Sequence, residues 1–272
     1  MSYDVRVRRL GAALSGLEDV VCALSGGVDS AVLLHAAHAA LGERAVGWIG
    51  DSPSLPRHEL QDARAVAQVI GARVVVVSTG ELEVPGYRSN DGARCYFCRR
   101  VLFDTMHAWA GAQGFHTIAY GEITDDLQDV RPGRRAATEL GIVAPLVEAG
   151  FTKNDVRRYA NEQGLPVANK PASACLSSRI PMGTPVTRDR LARIERSEAT
   201  VRSLGFRVLR VRDHGTRARV ELGSSELERG QALFQELAAA LAEESFEQIE
   251  LAVYVTPGSQ RIDEPPANTV QL

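Results

Sequence analysis

Short apolar runs alternate with amphipathic stretches through the first half of the chain. DVVCAL (19–24) stops at a pair of glycines, and VDSAVLLHAAHAAL (28–41) follows with helical spacing. AVGWIGD (45–51) predicts a second strand, and Leu60, Ala63, Ala67 and Ile70 mark one side of a helix between Pro56 and Gly71. RVVVVST (73–79) is a continuous β-branched run, the pattern of a strand buried on both faces. A helix from about Arg99 to Gln113 and the strand TIAYGE (117–122) continue the alternation. TKNDVRRYANEQG then opens on Thr152 as N-cap and closes at Gly164.

Such strand–helix repetition predicts an α/β fold, a parallel sheet with helices on both faces. Ligands in these folds sit beyond the carboxyl ends of the strands, so the loops after Leu24, Asp51, Thr79 and Glu122 are expected to form a cleft. The pattern breaks at residues 165–187, an irregular stretch carrying Pro166, Pro171, Pro181 and Pro185. A helix over 188–205, two alternating strands about His214–Gly215, a helix near 226–243 and a last strand QIELAVYV predict a small α+β unit. The expected division is a nucleotide-type domain at 1–168, a cysteine-bearing linker or active-site loop at 169–186, and a C-terminal α+β domain at 187–272.

Composition narrows the classes of function. With 31 basic and 34 acidic residues the net charge is −3, so no global basic field is available to hold nucleic acid. The N-terminal stretch lacks the apolar core of a secretory signal, and no segment reaches membrane-spanning length. Four cysteines, two of them in a CxxC, suit metal or thiol chemistry in a reducing compartment better than a disulfide framework. A cytoplasmic protein is expected.

The loop LSGGVDS (24–30) joins a strand to a helix. Gly26 and Gly27 allow a tight turn and close approach of an anion, Ser25 and Ser30 add hydroxyls, and the following helix start favours phosphate. The Gly-Lys-Ser/Thr of a Walker sequence is missing, which argues against phosphoryl transfer of that kind. SGGxDS in this setting resembles the PP-loop of the ATP pyrophosphatases, which split ATP between its α and β phosphates. That resemblance implies ATP as cofactor, assigns Asp29 to magnesium–pyrophosphate organisation, and makes Asp51 and Ser52 neighbours of the adenosine.

Cys22 sits in an apolar strand and reads as core. Cys95 and Cys98, in RCYFCRR, lie near a predicted helix start beside Arg94, Arg99 and Arg100, a setting that suits a ligand or nucleophile. Alone, the pair is compatible with zinc, iron–sulfur or redox use. Structural zinc wants four protein ligands, and His58, His107 and His116 are not at zinc-finger spacing from it. Together with Cys175, in PASACLSSRIPMG (171–183), the pair makes three thiols, a number that suits a [4Fe–4S] cluster with one open iron.

Other residues are candidates by charge and position. Asp125, Asp126 and Asp129 could place magnesium or substrate, and Arg131 and Arg134 could fork a phosphate or carboxylate. Strand alternation puts Arg210 and Arg212 on one face, with Arg217 and Arg219 together on the next strand.

Three long stretches occur in the order seen in the LarE family: GEITDDLQDVRPGRRAATELGIVAPL, FTKNDVRRYANEQGLPVANKPASACLSSRIPMG and LARIERSEATVRSLGFRVLRVRDHGTRARVEL. The resemblance covers roughly residues 19 to 225. It implies an ATP-dependent sulfur transferase that adenylates a carboxylate of pyridinium-3,5-biscarboxylic acid mononucleotide and replaces oxygen with sulfur. Carried onto this sequence, it adds Arg99 and Arg179 to the ligand-holding set and favours Glu198 over Glu195 as a catalytic group. It also implies a homo-oligomer. One branch of the family spends the cysteine corresponding to Cys175 as sulfur donor. Another, with the additional CxxC, binds a [4Fe–4S] cluster that carries sulfide, and Cys95, Cys98 and Cys175 match it. A sulfide donor is then a possible partner. Thiolation of tRNA and an adenine-nucleotide sensor with structural zinc are the competing readings.

Overall fold

The computed structural model describes residues 1–128, 132–171 and 173–255. The chain divides into two compact units. One comprises Met1–Tyr87 and Asp91–Ala174; the other comprises Arg88–Asn90 and the described residues from Cys175 onward.

The first unit opens with a helix that strand–helix patterning alone does not assign, α1 (Tyr3–Ser15), whose Leu10 and Leu14 are buried. Then come β1 (Val20–Ala23), α2 (Val28–Leu41), β2 (Ala45–Asp51), α3 (Arg57–Ile70) and β3 (Val74–Ser78). A single turn α4 (Pro85–Arg88), the long α5 (Arg94–Gln113) and the short β4 (Ile118–Ala119) follow. The unit's last helices are α6 (Pro132–Glu139), α7 (Pro145–Ala149) and α8 (Lys153–Glu162).

The four strands form a parallel sheet in the order β3-β2-β1-β4. This is the expected α/β architecture, with its two crossover directions diverging from β1. The centre behaves as its sequence predicts: Val20, Val21 and Cys22 are fully buried, and burial pushes the Cys22 thiol up to about 12. One expectation fails. RVVVVST lies at the sheet edge, and Val74 to Val77 are only half buried, because among the described residues no strand pairs with β3 on its outer side. Apolar side chains pack on both faces. α1, α2, α3 and α8 contribute to one cluster with Leu33, Val66 and Val156; α5 contributes Phe103 and Met106 to the other, around Trp48.

Helix α5 starts five residues before the predicted Arg99. Asp91 accepts the Ala93 amide through its side chain, and the Tyr96 amide bonds the Ala93 carbonyl, so the helix is nucleated by the Asp91–Gly92 turn.

The second unit carries α9 (Arg188–Ser203), β5 (Leu209–His214), β6 (Arg217–Leu222), α10 (Leu227–Ala232), α11 (Phe234–Ala242) and β7 (Gln248–Val253). β5 and β6 are an antiparallel hairpin, and β7 joins β6 in parallel. The single helix expected over 226–243 is broken at Leu233. Gly230 lies against Leu222, where an added Cβ would come within 2.3 Å of its side chain. Leu237 and Leu241 close the core with Phe246, each such side chain stabilising by about 1.5–3 kcal/mol when fully buried.

Candidate active site

The glycine loop follows directly from β1. The Leu24 amide still bonds the Trp48 carbonyl of β2, and the chain then turns at Gly26 with φ +77°. That angle belongs to glycine, and the backbone is also pressed against α3: a Cβ at Gly26 would lie 3.0 Å from the Glu59 carbonyl oxygen. Two hydroxyls close the loop. The Ser25 amide donates to Ser30 Oγ at 3.2 Å, Ser30 Oγ donates to the Gly27 carbonyl at 3.0 Å, and the two Oγ atoms are 3.2 Å apart. Gly27 is the N-cap of α2, and first-turn amides of a helix have no acceptor within the helix and carry the positive end of its dipole. Gly121 permits β4 to pass this helix start, since a Cβ there would lie 2.8 Å from the Ser30 nitrogen.

A cavity of about 540 Å³ opens beside the loop, lined by Ser25, Asp29, Ser30, Arg99, Asp126 and Lys153, among others. Asp29 lies one residue into α2 and receives both of its close hydrogen bonds from Lys153 Nζ, at 2.7 and 2.9 Å. Burial raises the Asp29 carboxyl above the usual range. Lys153 opposes that shift, and the Asp126 charge adds to it. A carboxylate so placed gains from a further cation. Arg99 stacks over the Tyr120 ring at 5.3 Å, and the Tyr120 hydroxyl donates to Glu122, which also meets Arg134 at 3.7 Å.

Lys153 was not among the sequence candidates, although a signal for it exists. Thr152 and Asp155 form a capping box that fixes Lys153 as the first residue of α8. A lysine there opposes the helix dipole, an unfavourable placement unless an anion is near. The Lys153 amide is in turn held by Asp125.

Other candidates fall elsewhere. Asp51 pairs with Arg57 at 2.7 Å, and Ser52 is buried with its Oγ 2.9 Å from that of Ser54; neither lines the cavity. Arg131 and Asp129 lie outside the described residues. Cys95 and Cys98 occupy the first turns of α5, three apart and therefore neighbours on one helix face, Cys95 exposed and Cys98 half-buried. Among the described residues no three Cys, His, Asp or Glu side chains gather as a metal site. His107 bonds the Leu140 carbonyl and His116 bonds Asp19.

In the second unit, Cys175 precedes a 3₁₀ turn, Leu176–Arg179, and its Sγ is 3.1 Å from Ser177 Oγ. Arg179, 1% exposed, is saturated. Nε and Nη2 bond the Glu198 carboxylate at 2.8 and 3.2 Å, and Nη1 bonds the Cys175 carbonyl and Ser178 Oγ, each at 3.0 Å. Glu198 is 2% exposed and also accepts the Val211 amide. Its geometry is that of a brace: both carboxylate oxygens are engaged and sealed from solvent. Arg212 bonds Glu221 and the Ser178 carbonyl, while Arg210 lies over the Tyr254 ring and has its pKa lowered by burial and then by Arg179. Arg217 and Arg219 share their strand face with Glu221 and Glu250.

A strand, a glycine loop and a helix start on a parallel sheet, with an acidic pair and a lysine across the cavity, define an α/β protein of the NAD-synthase-like PP-loop class. The NAD synthase family model matches residues 9–84. The chain is 35% identical over 219 residues, 80% of its length and 79% of the other protein, to pyridinium-3,5-bisthiocarboxylic acid mononucleotide synthase of Lactiplantibacillus plantarum. It is 40% identical over 225 residues, 83% of this chain and 84% of the other, to an uncharacterized protein of Synechocystis. An NH(3)-dependent NAD(+) synthetase of Hyperthermus butylicus shares 30% over 172 residues, 58% of this chain and 59% of that one. The chain belongs to the LarE family, that of the bisthiocarboxylic acid mononucleotide synthase.

Proposed function

We propose that the protein is an ATP-dependent sulfur transferase acting on a pyridinium mononucleotide diacid. The observation that carries this reading is the glycine-loop cavity, in a chain matching the bisthiocarboxylic acid mononucleotide synthase over four-fifths of its length. A substrate carboxylate oxygen attacks the α phosphorus of ATP, the bond to the bridging oxygen breaks, and pyrophosphate leaves. The amides at Gly27 and the start of α2, with Ser25 and Ser30, receive the departing anion. Asp29 and Asp126 would hold magnesium, and Lys153 supplies a cation for the charge developing on phosphate oxygens. A sulfur nucleophile then attacks the acyl carbon and AMP departs with the former carboxylate oxygen.

Cys95, Cys98 and Cys175 would hold a [4Fe–4S] cluster, to which the two adjacent thiols on α5 offer two corners. Such a group supplies a coordination site for exogenous sulfide when bound. The second reading is that Cys175 itself donates the sulfur, its Sγ lying 3.1 Å from Ser177 Oγ. Anaerobic purification decides between them. Iron lost on Cys95→Ala, Cys98→Ala or Cys175→Ala supports the cluster, whereas an iron-free protein that loses H2S from Cys175 after one turnover supports donation.

The substrate and ATP dependence are tested by incubating protein, ATP, magnesium, sulfide and the diacid without oxygen. AMP and a thiocarboxylate should appear together. ATP turnover that requires tRNA would instead support a nucleic-acid substrate.

A further inference from the structure

Lys170 lies five residues before Cys175 and spends all three of its ammonium hydrogens on one side of the glycine loop. Its Nζ is 3.2 Å from the Gly26 carbonyl oxygen, 2.6 Å from Glu59 Oε2 and 2.7 Å from Asp62 Oδ2. An ammonium has three donors, so this one is saturated. The site is built: the Lys170 side chain is 16% exposed and that of Glu59 7%. Burial would raise the Glu59 carboxyl, yet hydrogen bonds from His58, Lys170 and Ser173 and the Lys170 charge bring it down to about 2. Glu59 is thus held ionised by two residues, 170 and 173, of the segment that runs into Cys175.

The bond to Gly26 has a consequence for phosphate binding. A trans peptide is planar, and its carbonyl and the next amide point in opposite directions. Holding the Gly26 oxygen against α3 therefore turns the Gly27 N–H into the loop, where it lies 3.4 Å from Ser25 Oγ. Rotation of the 26–27 peptide would remove that donor from an incoming anion and break the Lys170 contact together.

We propose that Lys170 is a positioning residue that couples pyrophosphate occupancy of the glycine loop to the ordering of Ala168–Lys170 and Ser173, on the approach to Cys175. An anion on the Gly27 amide fixes the peptide plane. The fixed carbonyl holds Lys170, and Lys170 with Ser173 fixes the segment on Glu59. The inference rests on the PP-loop reading of the cavity and adds a link between nucleotide cleavage and sulfur delivery.

Hydrogen exchange of the full chain, with and without Mg–ATP, tests it. In the wild type, peptides covering 24–30 and 168–174 should gain protection together. Lys170→Met should raise the Kd for Mg–ATP by about tenfold, the scale of one charge-assisted hydrogen bond, and abolish the response of 168–174 while the loop still responds. It should also raise the AMP formed per thiocarboxylate. Asp62→Asn, at the more exposed end of the clamp, should weaken the same response without unfolding the chain and covers the case in which Lys170→Met fails to fold. A 168–174 peptide that ignores nucleotide in the wild type, or responds equally in both variants, overturns the coupling alone. A wild type that binds no Mg–ATP overturns the nucleotide reading and the coupling with it.

Discussion

Two ion pairs, one in each unit, have similar lengths and opposite characters. Lys153 and Asp29 meet at 2.7 Å with side chains 37% and 26% exposed. Arg179 and Glu198 meet at 2.8 Å with 1% and 2% exposed. In the first pair the lysine can be re-solvated or exchanged onto a ligand, and the aspartate gains from any added cation. In the second, every polar atom is committed: the guanidinium grips the Cys175 carbonyl and the carboxylate caps the Val211 amide. Charges with a path to solvent stay available to a ligand, whereas sealed charges hold a loop in shape. Glu198, a catalytic candidate on sequence grounds, is one of the sealed charges.

The largest effect should come from cutting the sealed pair. Glu198→Ala leaves a buried guanidinium uncompensated and should cost about 3–5 kcal/mol in denaturant unfolding. A loss below about 1 kcal/mol, the range of exposed pairs, would mean that the sealed pair holds no more than an exposed one. Asp29→Asn should do the reverse. AMP formation should fall by about 10²–10³-fold, as when a preorganised electrostatic group is lost from an active site, while the melting temperature barely moves. Lys153→Met should also leave stability within about 1 kcal/mol of wild type and lower AMP formation by a smaller factor than Asp29→Asn.

Acid separates two carboxylates beside the glycine loop. Glu59 is ionised in the folded state down to about 2, below its ordinary 4.5. The unfolded chain therefore binds the extra proton first as pH falls, and the Glu59 contribution, complete above 4.5, is lost between there and about 2. Asp29 has the opposite sign. Its raised carboxyl makes the folded state the stronger proton binder, so its contribution declines as pH rises through its ordinary value. Glu59→Gln should flatten acid unfolding measured by circular dichroism, and Asp29→Asn should not.

These differences also explain what could be read from the residues alone. The parallel sheet and its glycine loop are local: an apolar run, two glycines and a helical pattern lie within 19–41, and the structure keeps that order. Residues that reach the site from distant segments are harder to see. Lys153 meets Asp29 across 124 positions and Lys170 meets Glu59 across 111, separations that periodicity cannot reveal. The edge position of β3 was hidden for a related reason, since a valine run looks the same whether one neighbour or two pair with it. The close approach of Gly230 to Leu222 is likewise a contact set by tertiary structure.

The proposed reaction is activation of a carboxylate with ATP for replacement by sulfur. One anaerobic reaction tests it, with purified protein, ATP, magnesium, sulfide and pyridinium-3,5-biscarboxylic acid mononucleotide, followed by mass spectrometry of nucleotide and pyridinium products. AMP, pyrophosphate and a thiocarboxylate should rise together, and all three should fall by about 10²–10³-fold in Asp29→Asn. ADP formation, or AMP formation with no dependence on the diacid, would contradict the proposed reaction.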